Sequence, residues 1–193
     1  MATDDAMAEE RAPVETNAPV PIPTFAPADV HSAITQFLAY EASLLDQDRM
    51  EEWLDLLEDD FVYAVPIRED RERKQGGNQF VRGNYRMHDS KPALRYRIER
   101  LLTGHAWVEE LASRTSRLVG SVAVWSTEDP AVYHATSSIV VYRQRGDQRD
   151  FEIIPARHED LLRQGADGTF RLVRRTTLLT EKCIATNNLA IIV

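Results

Sequence analysis

The second half of this 193-residue chain is a series of four β-rich runs joined by short polar turns, and that pattern restricts the fold more than any other feature. The runs SRLVGSVAVW, VYHATSSIVVYRQR, DFEIIPARHEDLLRQ and TFRLVRRTTLLT are separated by STEDPA, GDQ and GADG, which are turn compositions. Long strands with such short connections pair with their sequence neighbours, so an antiparallel meander is expected.

The first half has a different period. In DVHSAITQFLAYEASLLD, residues Ile34, Phe37, Leu38, Glu41 and Leu45 recur at spacings of three and four, the signature of one helical face. Asp48 is placed to cap a second, shorter helix, RMEEWLDLL, with Met50, Trp53, Leu54 and Leu57 on one side. FVYAVPI then reads as a first strand, with Pro66 near its end or on a sheet edge because proline has no N–H to donate. Residues 68–90 are polar and contain Gly76, Gly77 and Gly83, so they read as one long loop, functional or interfacial. Ser90 opens a third helix with Pro92 in its first turn and Leu94, Ile98, Leu101 and Leu102 as its stripe. Helices first and sheet second is an α+β layout, with the helices on one face of a curved sheet.

The length suits one domain, and 43% apolar with 28% charged residues is enough for a packed core. Residues 1–27 hold five prolines and no apolar period, which predicts a disordered or extended arm before a single domain over 28–193. A net charge of −8 argues against nucleic acid as a partner. Of the 23 basic residues only Lys74, Lys91 and Lys182 are lysines, and arginine's planar fork suits ion pairs at interfaces. Cys183 is the only cysteine, so no disulfide closes within the chain and no multi-cysteine metal site is possible. No apolar run is long enough to span a bilayer, and MATDDAMAEERAPVE lacks the basic start and apolar stretch of a signal peptide; a cytoplasmic protein is expected.

The order of elements, together with EASLLD, WLDLLEDDFVYAVPIR, RIERLLTGHAWVEELASRTSRLVGSVAV and the closing FRLVRRTTLLT, resembles the small (β) subunit of bacterial aromatic-ring-hydroxylating dioxygenases over about residues 31–180. The resemblance implies a cone-shaped, cystatin-like or ketosteroid-isomerase-like α+β fold, with N-terminal helices packed on a strongly curved, mostly antiparallel sheet. It also implies a non-catalytic structural subunit of an α3β3 hexamer. In such assemblies the α subunit holds a Rieske [2Fe–2S] cluster and a mononuclear Fe(II), and hydroxylates an aromatic compound with O2. Electrons come from NADH through a reductase, sometimes with a ferredoxin. Two departures are Thr180, where the family often has an acid, and the length of the proline-containing arm. A Rieske centre needs two cysteines and two histidines, so this chain does not hold one alone. On that reading no catalytic, cofactor-binding or metal-binding residue is expected in this chain.

Individual residues nonetheless invite functional readings. Glu41, on an apolar stripe, reads as a buried carboxylate paired with Arg68 or Arg157. Asp59, Asp60 and Tyr63 invite comparison with isomerase acid and phenol groups, but the two adjacent acids suit a helix-to-strand turn better. The rival function is a free-standing dehydratase or isomerase of the same fold using Asp60, Tyr63 or His134; a ligand-binding module using the same cavity is a third reading. His88 and Asp89 with His105 or His134 would make an iron triad only through an unknown tertiary arrangement. Alternation puts His134 on the opposite strand face from Ser137 and Ile139, and His134 and His158 are candidates for the cone interior. Cys183 reads as a small buried residue. Arg71, Arg73, Arg82, Arg86, Arg114, Arg117 and Trp107 are the interface candidates, Trp53 is expected in the core, and Trp125 suits either.

Overall fold

The computed structural model describes residues 24–69, 80–102, 113–145, 151–182 and 192–193. Helices α1 (Ala28–Asp46) and α2 (Met50–Asp55) precede strands β1 (Leu57–Arg68) and β2 (Phe80–Ser90); helix α3 (Lys91–Leu102) leads into β3 (Ser113–Ser126), β4 (Val132–Arg145), β5 (Phe151–Gln164) and β6 (Phe170–Leu179). The six strands form one sheet in the order β2-β1-β6-β5-β4-β3. The expected meander is present as β3 to β6, each pair antiparallel. The β1–β2 hairpin is attached to it by a parallel pairing of β1 with β6.

One face of the sheet carries the core. Leu57, Phe61, Tyr63 and Val65 on β1, Ala135, Ile139 and Val141 on β4, and Ile154, Ala156 and Leu162 on β5 are all buried at alternate positions. Against them α1 buries Ile34, Leu38, Leu44 and Leu45, while α2 buries Trp53 and Leu54. Curvature comes from register shifts: β3 and β4 slip between Gly120 and Ala123, where Ser121 takes φ 50°, β1 slips around Pro66, and β5 and β6 slip at Leu161/Leu162. Pro66 therefore occupies an irregular position near the strand end, where its missing N–H costs little.

Three local expectations change. Asp48 does not cap α2: it turns the chain at φ 56°, the N-cap is Arg49, and Arg49 instead donates to Glu52 one turn on. Asp59 and Asp60 lie inside β1 rather than in a turn, because α2 ends at Asp55 and the strand starts two residues later. Residues 80–90 of the expected loop are an edge strand, whereas 70–79 lie outside the described residues. At the far edge, residues 24–26 pair with β3: Ala26 N–H donates to the Val124 carbonyl (3.0 Å), Ser126 N–H donates to Thr24 (3.1 Å), and the Phe25 ring stacks on Trp125. Two further main-chain groups on that edge are met by side chains. His31 Nε2 reaches the Val122 carbonyl (3.1 Å), and the Asp46 carboxylate accepts the Arg117 N–H (2.8 Å).

Candidate functional site

The polar centre of the cone is built by four elements. Arg175, on β6, donates Nη1 and Nη2 to the two oxygens of Glu41 on α1 (2.6 and 2.8 Å) and Nε and Nη2 to Asp160 on β5 (2.8 Å each). Trp53 on α2 donates its indole N–H to the same Glu41 (2.9 Å). Side chains of Arg175, Glu41 and Asp160 are 2%, 3% and 1% exposed. Burial works against the Arg175 charge, but Asp160 and Glu41 outweigh it and its pKa stands above the ordinary guanidinium value. Burial pushes Asp160 above the usual carboxylate range, which Arg175 only partly offsets. Two forks on one guanidinium leave little donor capacity for anything else.

A β-bulge places Arg175 there. On β6, Phe170 and Leu172 face the core, so strict alternation would send Arg174 inward; the slip after Leu172 makes Val173 the extra residue and turns Arg175, Thr177 and Leu179 in. On β5, His158 and Asp160 face in and Arg157 and Glu159 face out.

Beside this cluster the interior holds Ile192 and Val193. Tyr63 O–H donates to the Val193 carbonyl (2.9 Å), Thr177 Oγ1 donates to the same oxygen (3.2 Å), and Arg117 Nη2 donates to the Ile192 carbonyl (2.7 Å). Arg117 is also paired with Asp46. Burial raises the Tyr63 phenol above its ordinary value. Burial, followed by the Arg175 cation, pushes His158 well below the ordinary imidazole range, with the Val193 carbonyl opposing, so this histidine is neutral. What remains open between Leu38, Glu41, His158, Arg175 and Val193 is a cavity of about 10 Å³, room for one water and not for a substrate.

The residues singled out from sequence are distributed as follows. Glu41 is buried, but its partner is Arg175 rather than Arg68 or Arg157: Arg68 donates to the Leu179 carbonyl (3.1 Å) and lies 5.0 Å from the Phe80 ring, and Arg157 is exposed on the other face of β5. Arg117, an interface candidate, is 8% exposed and tied to Asp46 and Ile192 of its own chain, because its odd position on β3 faces the core. Arg114 and Arg86 are exposed, and Arg86 donates to the Lys182 carbonyl. Arg82 is in β2 with an undescribed side chain, while Arg71, Arg73, His105, Trp107 and Cys183 lie outside the described residues. Asp60 is exposed, Tyr63 is in the core, and His134 packs at a tilt against Trp125 (5.4 Å) on the outer face, so these three candidates of the rival reading do not share one site. His88 is exposed against Tyr85 and Asp89 pairs with Arg97 (2.6 Å); among the described residues no three His, Cys, Asp or Glu side chains are grouped to hold a metal.

The outer face of the sheet is not closed in this way. Tyr142 and Phe151 stack at 5.5 Å between neighbouring strands, and with Leu118 and Ile153 they form an exposed apolar patch. Exposure of these four runs from 37% to 71%. Further along the same face, Val62, Ala64, Tyr85, His88 and Thr176 line an open groove of about 500 Å³ with Arg174 and Glu159 at its side.

Among the described residues, the interior of this conical α+β sheet is filled by its own side chains, and its outer face exposes apolar side chains and arginines. Its fold matches that of a scytalone-dehydratase-like protein from Novosphingobium aromaticivorans (TM-score 0.58, 14% identity, 79% of this chain and 85% of that one). The model of the ring hydroxylating beta subunit family matches residues 40–186, and the chain belongs to that family. It is 39% identical to the N,N-dimethyl phenylurea N-demethylase subunit beta of a Sphingobium strain over 81% of this chain and 87% of that one. Identity to the biphenyl 2,3-dioxygenase subunit beta of Rhodococcus jostii is 34%, over 86% of this chain and 90% of that one. Among solved structures, naphthalene 1,2-dioxygenase with indole bound superimposes with a TM-score of 0.75 at 23% identity, covering 87% of this chain and 88% of that chain.

Proposed function

We propose that this chain is the non-catalytic β subunit of the terminal oxygenase of an aromatic-ring-hydroxylating system, and that it seats catalytic α subunits in an α3β3 hexamer. The observation that carries this reading is the interior itself. The interior acids Glu41 and Asp160 and the cation Arg175 are bonded to one another, and the space left beside them holds about one water. The chain's donors do not suit a Rieske cluster, since it has a single cysteine. The Rieske [2Fe–2S] cluster and the mononuclear Fe(II) belong, on this reading, to the α subunit, with NADH electrons delivered through a reductase or ferredoxin in the cytoplasm. Relatives named as a phenylurea N-demethylase subunit and a biphenyl dioxygenase subunit share this chain's family, which supports a role as one subunit of a larger oxygenase.

The test is co-expression with the large subunit, sizing of the complex, and an oxygenase assay with and without this chain. A complex near the α3β3 mass that is needed for stable activity supports the proposal. An isolated chain that turns over a hydroxylated or ketosteroid-like substrate without iron overturns it.

A further inference from the structure

Within the cone, two consecutive main-chain carbonyls are held by donors from three strands that are remote in sequence. Tyr63 on β1 and Thr177 on β6 converge on Val193, and Arg117 on β3 takes Ile192. All three donor side chains are in the buried class, and Ile192 and Val193 are 5% and 2% exposed. The wall around them is aliphatic, from Leu38, Ala42 and Ile139. This pairing of carbonyl acceptors with branched side chains is how a binding site recognises a short peptide: donors fix the backbone and an apolar wall reads the side chains.

A second observation points the same way. His158 Nε2, the Arg117 Nε and the Ser137 Oγ are buried without a hydrogen-bond partner, and Ser137 lies directly across from His158 in the β4–β5 register. His158 and Arg117 border the same small cavity as Val193. Two of the three, those of His158 and Arg117, therefore lie beside Val193.

We infer that the cone interior is a binding site for a branched-chain dipeptide segment presenting two carbonyl oxygens, filled in cis by Ile192–Val193. The inference goes beyond the assembly role and does not depend on it. Once that segment is removed, the site takes a matching dipeptide from solution.

The experiment uses the full chain and a variant lacking Ile192 and Val193, each titrated with N-acetyl-isoleucyl-valine as the free acid and as the amide. The expected result is that the deleted chain binds one of the two forms with a Kd of about 1 mM or tighter, whereas the full chain, its site occupied, binds neither. Adding Tyr63→Phe to the deleted chain weakens that binding about fivefold, the effect of one hydrogen-bond donor. A folded deletion variant that binds neither form overturns the inference, as does a full chain that binds equally well. If the deletion variant does not fold, methyl NOEs in the full chain decide: cross-peaks from Val193 to Leu38 and Ile139 support the occupied site, and their absence overturns it.

Discussion

The two faces of one sheet carry similar residues and use them in opposite ways. Inside, Arg175, Glu41, Asp160 and Trp53 satisfy one another, and Arg117 is taken by Asp46 and Ile192. Outside, Arg157 and Arg174 alternate with the inward residues on the same strands, Tyr85 rests on His88, and Tyr142 rests on Phe151, all open to solvent. A buried charge must be paired or the fold fails, so the inner set reports on stability. Exposed aromatic side chains and arginines are enriched at protein contacts, so the outer set is where the proposed assembly can be tested.

The largest expected effect comes from breaking the inner set. Arg175→Leu leaves two buried carboxylates without a counter-charge and should cost about 3–5 kcal/mol of unfolding free energy, read from a denaturant midpoint at constant slope. Glu41→Gln keeps acceptors for Trp53 and part of the fork, and Arg175 retains Asp160, so about 1–3 kcal/mol is expected. Equal stability of both variants with the parent would mean that the cluster is not closed as described.

How far this centre was legible in the sequence can be traced residue by residue. The helices and β3 to β6 follow from period and turn chemistry, and Glu41 declares itself by standing at a core position of a helical stripe. Its partner is hidden because a single bulge at Val173 reverses the phase of β6, and nothing in FRLVRRTTLLT distinguishes Arg174 from Arg175. Strand β2 is hidden because it is an edge. Among its described side chains only Met87 is buried, so it carries no alternation to detect. The parallel β1–β6 pairing and the burial of Ile192–Val193 join residues more than a hundred positions apart, which no local pattern encodes.

Acid sharpens the comparison from the inside. His158 has a folded pKa well below its unfolded value, so its contribution is present above the ordinary imidazole pKa and is lost as pH falls through that value, at up to about 1.4 kcal/mol per pH unit. Asp160 is shifted upward and acts in the opposite sense: its contribution is present below the ordinary carboxylate pKa and is lost as pH rises through the folded one. The observable is therefore the difference between the parent and His158→Gln across pH 7 to 5. The parent should lose stability more steeply, and parallel pH profiles would show that His158 is not buried neutral.

The smallest effect on the fold is expected from the outer face, and it is the one that most directly separates the two roles. Phe151 is more than half exposed and Tyr142 a little over a third, so Tyr142→Glu with Phe151→Glu should lower unfolding free energy by about 1 kcal/mol, mainly through the lost ring stack. The same pair of carboxylates set into an apolar contact would be desolvated without partners, so the co-expressed complex should fall apart into its subunits on sizing. A double variant that keeps both its melting behaviour and the mass of the full complex would show that this patch is not where the subunits meet, and would shift attention along the face to the Tyr85–His88 groove. A variant that loses both would mean that the patch belongs to the core after all, and that the division between a closed inner face and a receptive outer one is drawn in the wrong place.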